Sequence, residues 1–344
     1  MVSSQPESQL NTSEPVAVDT LKIGLEYPPL GEEAAIAGLR QLHLKVHEAS
    51  PGPGLRGEHP KSLGGVWATF RVAADIPAPY GIGLFKEPHS FRALIRFSNG
   101  RSFDDRVPNV RGMAIKVFTT QNENDPAVNH DFLLADHPVF FARNVQHVLE
   151  FLIATSTGTP AAALAETTYP KLKGFNSIAT KSPLRMSYWS QTPYQFGSGA
   201  VKYFAHPAVE QDQPLLDIKL SDSENSLREA MVEQLTKRKI GVNFDFCINP
   251  QTDANTMPVE DPTVEWTSAP IRLATISIYP QRFDSEQQIQ FVENTTWSPW
   301  NFLPEHRPLG GINRARRWVY SDSQEMRHKT HGVTSTIPTG RESF

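Results

Sequence analysis

The chain has few of the features that mark several protein classes. It carries a single cysteine, Cys247, in 344 residues, which excludes disulfides within the chain and is typical of a reducing compartment. The neighbours of this cysteine, FDFCINP, predict a buried thiol on a strand. No apolar run reaches the roughly 20 residues of a membrane span, and the first residues lack the pattern of a signal peptide. We therefore expect a cytoplasmic protein with no membrane span.

The chain also lacks a strong net charge and the usual catalytic signatures. Its formal net charge is −4, so no overall field favours nucleic acid as a partner. It has no G-x-S-x-G motif, no P-loop and no cysteine cluster. GPGLRG (Gly52 to Gly57) matches the dinucleotide fingerprint in letters, but it follows a helical pattern rather than a strand. His43 and His47 could share a helix face as metal ligands, but without an obvious third ligand we interpret them as surface histidines.

The hydrophobic patterns predict strands that cluster along the chain instead of alternating with helices. Strands are predicted at 66–72, 91–98, 112–119, 201–204, 242–248 and 271–279, and helices at 32–49, 142–156, 226–239, 285–294 and 312–328. This order favours an α+β fold with a largely antiparallel sheet. Residues 1–20 are polar and predict a flexible tail, and nothing marks a linker further on. We therefore expect residues 21–344 to form one domain.

The predicted last helix carries an unusual set of side chains. In INRARRWVYSDSQEMRH, Arg316 and Tyr320 lie one turn apart on the same face, and Arg327 lies seven residues further on that side. An arginine beside a phenolic oxygen favours the phenolate, and a ferric ion favours it further. A second arginine could bind a carboxylate of the same cofactor. The helix alone leaves two interpretations open, an iron site of this kind or solvated surface charge.

Several further motifs follow one another in an order that resembles haem catalases. Arg56-x-x-His59 precedes PKSLGGVWATFRV, and RFSNG, VRGMAIKVF, DHPVFFARN, PVEDPTVEW and RARRWVYSDSQEMR follow in turn. The resemblance runs from about residue 40 to residue 330. It implies a catalase-like antiparallel β-barrel of about eight strands with surrounding helices. From the length of 344 residues we expect no flavodoxin-like C-terminal domain of the kind that large catalases carry.

The resemblance also implies a cofactor and a set of site residues. The cofactor would be a ferric haem b whose iron is bound by the phenolate of Tyr320, the ligand known for catalases. The roles implied are Arg316 as the partner of that phenolate, Arg56, Arg96 and Arg327 as partners of the haem propionates, His59 as the distal base, Ser98 as the residue that orients it, and Phe140 as an aromatic of the distal pocket.

Some positions differ from the catalase pattern. Where catalases carry a distal asparagine, LLADHPVFF offers Ala135 or Asp136, and the motif leaves both open. An alanine removes a hydrogen-bond donor, whereas Asp136 would be a catalytic acceptor or, when protonated, a donor. Gly310 stands where catalases carry the acid that supports the proximal arginine, and Glu58 stands where coral-type allene oxide synthases have a threonine. The chain is thus most similar to small catalase-related haem proteins.

These differences lead us to expect a haem-dependent oxidoreductase of peroxidase or weak catalase type. Its substrate would be hydrogen peroxide or an organic hydroperoxide, including a lipid hydroperoxide. One alternative is a fatty-acid hydroperoxide isomerase or dehydratase of the allene oxide synthase type. A second is a haem-binding protein without catalysis. The sequence leaves a homo-oligomer open.

Overall fold

The computed structural model describes residues 21–48, 56–120, 129–175, 179, 181–212 and 214–343. The expected polar tail, residues 1–20, lies outside these residues, and so does most of the Gly52 to Gly57 motif. No helix within the described ranges is both long enough and apolar enough to cross a membrane.

The strands form a closed antiparallel barrel. They are β1 (Lys61–Val72), β2 (Ser90–Asn99), β3 (Arg111–Phe118), β4 (Asn129–Ala135), β5 (Tyr188–Trp189), β6 (Tyr194–Phe196), β7 (Gly199–Pro207), β8 (Val242–Pro250) and β9 (Ile271–Ile278). Neighbours run in the order β1-β2-β3-β4-β5-β7-β8-β9, and β9 pairs with β1 to close the ring. The short strand β6 pairs with β7 outside this ring. The expected eight-stranded barrel is therefore confirmed.

Seven α-helices accompany the barrel in the described part of the chain. They are α1 (Glu32–Glu48), α2 (Val145–Ser156), α3 (Ala161–Thr167), α4 (Leu172–Phe175), α5 (Ser226–Val232), α6 (Glu286–Asn294) and α7 (Gly311–His331). The helix α5 continues as a π-helical turn over Glu233–Lys237. The five helices expected from the sequence are all present, and α3 and α4 are additional.

Alternation along each strand divides its side chains between the barrel interior and the outer face. On β2, Ile95 and Phe97 are completely buried in the aromatic-rich core, whereas Arg96 and Ser98 point to the opposite face. Cys247 is buried on β8, as expected, and burial raises the pKa of its thiol to about 12, so the thiol is unreactive at neutral pH.

The helix α7 is held against the rest of the molecule at two places. Near its start, Arg314 Nε donates to Glu32 at 2.6 Å, and Arg314 Nη2 donates to Glu260 at 2.7 Å. Further along, Asp322 accepts from Arg40 of α1 through both carboxylate oxygens, at 2.6 and 2.9 Å. Bidentate pairs of this kind fix orientation as well as distance. One face of α7 thereby lies opposite the outer face of β2, β3 and β4.

Candidate active site

A cavity lies between α7 and the outer face of the barrel. Its empty volume, counted together with the open space at its mouth, is about 840 Å³. His59 and Ser98 line the barrel side, and Tyr320 lines the α7 side. Arg56, Arg96 and Arg327 also line it. The structure therefore brings six of the nine expected site residues to one cavity.

The barrel side of the cavity holds a histidine–serine pair. Ser98 Oγ lies 3.1 Å from His59 Nδ1, within hydrogen-bond distance. Ser98 is directly opposite Gly112 of β3, and a Cβ at Gly112 would lie 2.6 Å from Ser98 Oγ and 2.9 Å from His59 Nδ1. The absence of a side chain at Gly112 is thus what leaves room for the pair.

The backbone and the surroundings of His59 are both unusual. Its φ of 54° is in the left-handed region, which non-glycine residues seldom adopt and which often marks functional sites. Its carbonyl accepts from Arg96 Nη2 at 2.9 Å, which helps to hold this conformation. Burial lowers the pKa of His59 to about 4, with Arg96 adding to the shift and Glu58 opposing it. The imidazole is therefore neutral at pH 7.

The α7 side of the cavity holds the tyrosine and its arginine. Arg316 Nη2 donates to Tyr320 Oη at 3.0 Å, as their spacing of one helical turn predicts. Arg316 Nη1 donates at 3.1 Å to Asn313 Oδ1. Asn313 is completely buried, and its Nδ2 donates to Pro193 O and Leu309 O, both at 3.0 Å. A neutral amide therefore orients the arginine that faces the tyrosine.

The Arg316 guanidinium stays positively charged although it is buried. Burial lowers the pKa of Arg316, but Tyr320 and Tyr194 raise it more in sum, and the net shift is upward. The guanidinium also lies over the Tyr320 ring, 5.2 Å from its centroid. The guanidinium of Arg316 thus contacts both the hydroxyl group and the ring of Tyr320.

Three arginines from distant parts of the sequence meet at one edge of the cavity. Arg56 Nη2 donates to Thr295 O at 2.8 Å, and Arg327 Nη2 donates to Glu293 O at 2.8 Å. The carboxylate of Glu293 lies 3.3 Å from Arg96 and 3.7 Å from Arg56. Burial lowers the pKa of Arg56 to about 9, and the charges of Arg96 and Arg327 lower it further while Glu293 opposes them.

This three-arginine cluster fits a ligand with two carboxylates. The Glu293 carboxylate lies beside two of the three guanidinium groups, those of Arg56 and Arg96, and a largely buried group of positive charges favours an anionic ligand. Arg56 Nε is buried and has no hydrogen-bond partner among the described residues. A haem carries two propionates, so its charge complements this cluster. The residues of the cavity therefore fit a haem bound through its propionates and through Tyr320.

The strand register separates the two residues that the sequence left as alternatives. Ala135 pairs with Gly112, and residues directly opposite each other share a face of the sheet, so Ala135 is on the outer face that borders the cavity. Asp136 is on the other side, where its Oδ1 accepts from the Arg111 backbone N–H at 2.9 Å. Burial raises the pKa of Asp136 to about 6, although Arg111 opposes this shift. Asp136 does not line the cavity.

Phe140 is also outside the cavity lining. Its ring packs 4.8 Å from that of Phe141, and it contacts the apolar cluster between α1, α2 and α7. Its backbone N–H donates to Pro262 O at 3.1 Å. The structure thus places Phe140 among the supports of the helices.

Some cavity residues were not identified from the sequence. His43 lines the cavity and is only 9% exposed, so its interpretation as a surface histidine was wrong. Burial lowers the pKa of His43, with Glu58 opposing. The side chain of His47 lies outside the described residues. Among the side chains that are described, no group of three or more His, Cys, Asp or Glu could hold a metal ion. Trp297, after α6, also lines the cavity, and no sequence motif indicated it.

Known proteins resemble this chain in structure and not in overall sequence. No protein-family model and no curated protein sequence matches it. A fungal catalase matches with a TM-score of 0.65 and 17% identity over 96% of this chain and 69% of that chain. Catalase A from Saccharomyces cerevisiae matches with a TM-score of 0.64 and 17% identity, over 94% of this chain and 71% of that chain. A bacterial catalase matches with a TM-score of 0.62 and 16% identity, over 94% of this chain and 66% of that chain. The chain therefore has the catalase fold, and its function must be argued from its own site.

Proposed function

We propose that this chain, built on the catalase fold, is a haem-dependent oxidoreductase that consumes hydrogen peroxide or organic hydroperoxides. The observation that carries the proposal is the position of two pairs in one cavity. His59 with Ser98 lines the barrel side, and Tyr320 with Arg316 approaches from α7. The three-arginine cluster supplies the charge that haem propionates require.

The residues of α7 would bind and tune the cofactor. Bound haem would supply the iron-centred oxidation and reduction that O–O cleavage requires. Tyr320 Oη would bind the haem iron, and Arg316 would stabilise its negative charge from 3.0 Å. Asn313 would keep the guanidinium of Arg316 aimed at that oxygen.

His59 would carry the proton during the reaction. Its Nδ1 is engaged with Ser98 Oγ, so Nε2 is the ring nitrogen that remains to exchange protons with a substrate. Because burial lowers the pKa of His59 to about 4, the neutral ring can accept a proton from one peroxide oxygen and return it to the departing oxygen. Ser98 would fix the orientation of the ring, as a positioning residue.

We assign the distal place of the catalase asparagine to Ala135 and give Asp136 a structural role beside Arg111. The support is the register that puts Ala135 opposite Gly112 on the cavity face. An alanine offers no hydrogen bond to a bound peroxide, so we expect weak dismutation of hydrogen peroxide.

The same observation favours a second candidate, a fatty-acid hydroperoxide isomerase or dehydratase. Ala114 and Leu133 line the cavity on the same outer face as Ala135, and they give it an apolar wall that suits a lipid chain. A lipid hydroperoxide supplied without any reductant distinguishes the two candidates. Rearranged product identifies the isomerase, whereas turnover only in the presence of a reductant identifies the peroxidase.

The test of the first candidate is turnover by the haem-loaded chain. We expect the visible spectrum to change when hydrogen peroxide is added, and the His59→Ala variant to lose about 10²- to 10⁴-fold in kcat/KM, the usual contribution of general acid–base catalysis. His328→Ala, at an exposed position on α7, is the matched control and should keep full turnover. A chain that binds haem and reacts equally well without His59 would leave the haem-binding alternative, without catalysis by this site.

A further inference from the structure

The carboxylate of Glu293 forms ion pairs with two members of the three-arginine cluster, Arg96 and Arg56. Glu293 is next to the last residue of α6, and its side chain is one quarter exposed. One of its oxygens lies 3.4 Å from Arg96 Nε and 3.3 Å from Arg96 Nη2. Its other oxygen lies 3.7 Å from Arg56 Nε.

These contacts are long for pairs of opposite charge. Charge-assisted bonds between guanidinium and carboxylate are typically about 2.7–2.9 Å. Elsewhere in this chain buried pairs reach that length, as Lys116 and Asp131 do at 2.6 and 2.8 Å. Glu293 therefore balances the charge of Arg96 and Arg56 without forming tight bonds to either.

The arginines are held in place by other groups. Arg56 Nη2 donates to the carbonyls of Glu293 and Thr295 at 2.9 and 2.8 Å, and Arg327 Nη2 donates to the Glu293 carbonyl at 2.8 Å. Arg96 Nη2 donates to His59 O at 2.9 Å. The carbonyls at the end of α6 are the negative end of that helix, which suits cations. The cluster thus keeps its geometry through the backbone, and the Glu293 carboxylate can move without dismantling it.

We propose that the Glu293 carboxylate is an internal substitute for the propionates of haem, which balances the cluster while the cavity holds no anion and competes with an incoming propionate. This inference rests on the proposed function, because it takes haem as the ligand. Glu293 thereby stabilises the haem-free chain and weakens haem binding. A residue that merely supported the cluster would strengthen haem binding. The two roles therefore predict opposite changes in haem affinity when Glu293 is replaced.

The test is the Glu293→Gln variant of the full chain, which removes the charge and keeps the shape. We expect haem to bind about tenfold more tightly, equivalent to about 1.4 kcal/mol, because a dianion no longer meets a negative charge at the site. We also expect the haem-free variant to unfold at a lower temperature than the wild-type chain, since Arg96 and Arg56 lose the carboxylate beside them. Glu286→Gln, at an exposed position in the first turn of α6, is the matched control and should change neither quantity.

Haem dimethyl ester, which lacks both propionate charges, completes the design. Its affinity should be the same for the wild-type chain and for Glu293→Gln. Weaker or unchanged haem binding by the variant would overturn the inference while leaving the proposed function standing. An equal gain with the ester would overturn it too, because charge would then not be the cause. A wild-type chain that binds no haem would refute the proposed function and this inference together.

Discussion

Replacing Gly112 by alanine should disrupt the His59–Ser98 pair from the neighbouring strand. The added Cβ would lie 2.6 Å from Ser98 Oγ, and restoring an ordinary contact of 3.4 Å moves that oxygen by about 0.8 Å. The bond to His59 is already 3.1 Å long, so such a shift breaks it or turns the imidazole. The φ angle of Gly112 is not positive, so alanine strains only the side-chain packing.

The expected losses of stability and of turnover in Gly112→Ala follow from the clash and from the broken hydrogen bond. Overpacking costs roughly 1–3 kcal/mol, and the lost hydrogen bond adds about 0.5–1.5 kcal/mol, so urea unfolding should show a loss of roughly 2–4 kcal/mol. A base displaced by nearly 1 Å costs about 10²-fold, so kcat/KM for peroxide should fall by roughly that factor. Gly81→Ala is the matched control, because its Cβ would meet nothing nearer than 3.8 Å.

The double variant Gly112→Ala with Ser98→Ala tests whether the clash with Ser98 Oγ causes these losses. Removing Ser98 Oγ removes the closest clash, so the double variant should regain part of the stability lost in Gly112→Ala. Two results would contradict this explanation. One is a double variant in which the stability losses of the two single variants simply add, and the other is a Gly112→Ala variant with full stability and turnover.

Three further predictions concern other parts of the molecule. Asn313→Leu should cost roughly 2–4 kcal/mol in urea unfolding, since Pro193 O, Leu309 O and Arg316 each lose a hydrogen bond; an unchanged midpoint would contradict this. The folded-state pKa of Asp136 is raised to about 6, so its contribution to stability is full below about pH 4 and is lost as pH rises through 6. Relative to Asp136→Asn, the wild-type chain should therefore lose roughly 2 kcal/mol between those pH values, and parallel stability curves would refute the assignment. Arg314→Leu removes the cation shared by Glu26, Glu32 and Glu260, although Glu26 keeps Arg307, and it should cost about 3–5 kcal/mol, measured by the same unfolding.

The sequence predicted most of the barrel strands and α7 because their patterns are local, whereas closure of the strands into a barrel was implied by the resemblance to catalases. Strand periodicity in β1, β2 and β3 is strong, and the spacing of Arg316 and Tyr320 requires only one helical turn. The strand β4 was not predicted as such, because it begins with NHD. His130 and Asp131 are completely or almost completely buried there, and a lysine from β3 supplies the partner that makes the buried aspartate tolerable.

The parts of the site that the sequence missed depend on residues brought together from afar. His43 is buried, and its electrostatic neighbours include Glu58 and Asp322 of α7, which the sequence of its own helix does not reveal. Ala135 and Asp136 are one residue apart, and a shift of one residue moves a side chain to the other face of the sheet. Only strand pairing therefore shows which of the two shares the outer face with Gly112. Glu293 is 197 residues from Arg96, and no spacing rule links them.

The most direct test of haem binding through Tyr320 is the haem stoichiometry of the wild-type chain and of Tyr320→Phe. We predict one haem per wild-type chain, with the high-spin ferric spectrum of phenolate ligation. In Tyr320→Phe we predict loss of that spectrum and weaker haem retention. Tyr279→Phe, at an exposed tyrosine, should behave as the wild-type chain does. A Tyr320→Phe chain with the same haem content and the same spectrum, or a folded wild-type chain that takes up no haem, would contradict the central claim.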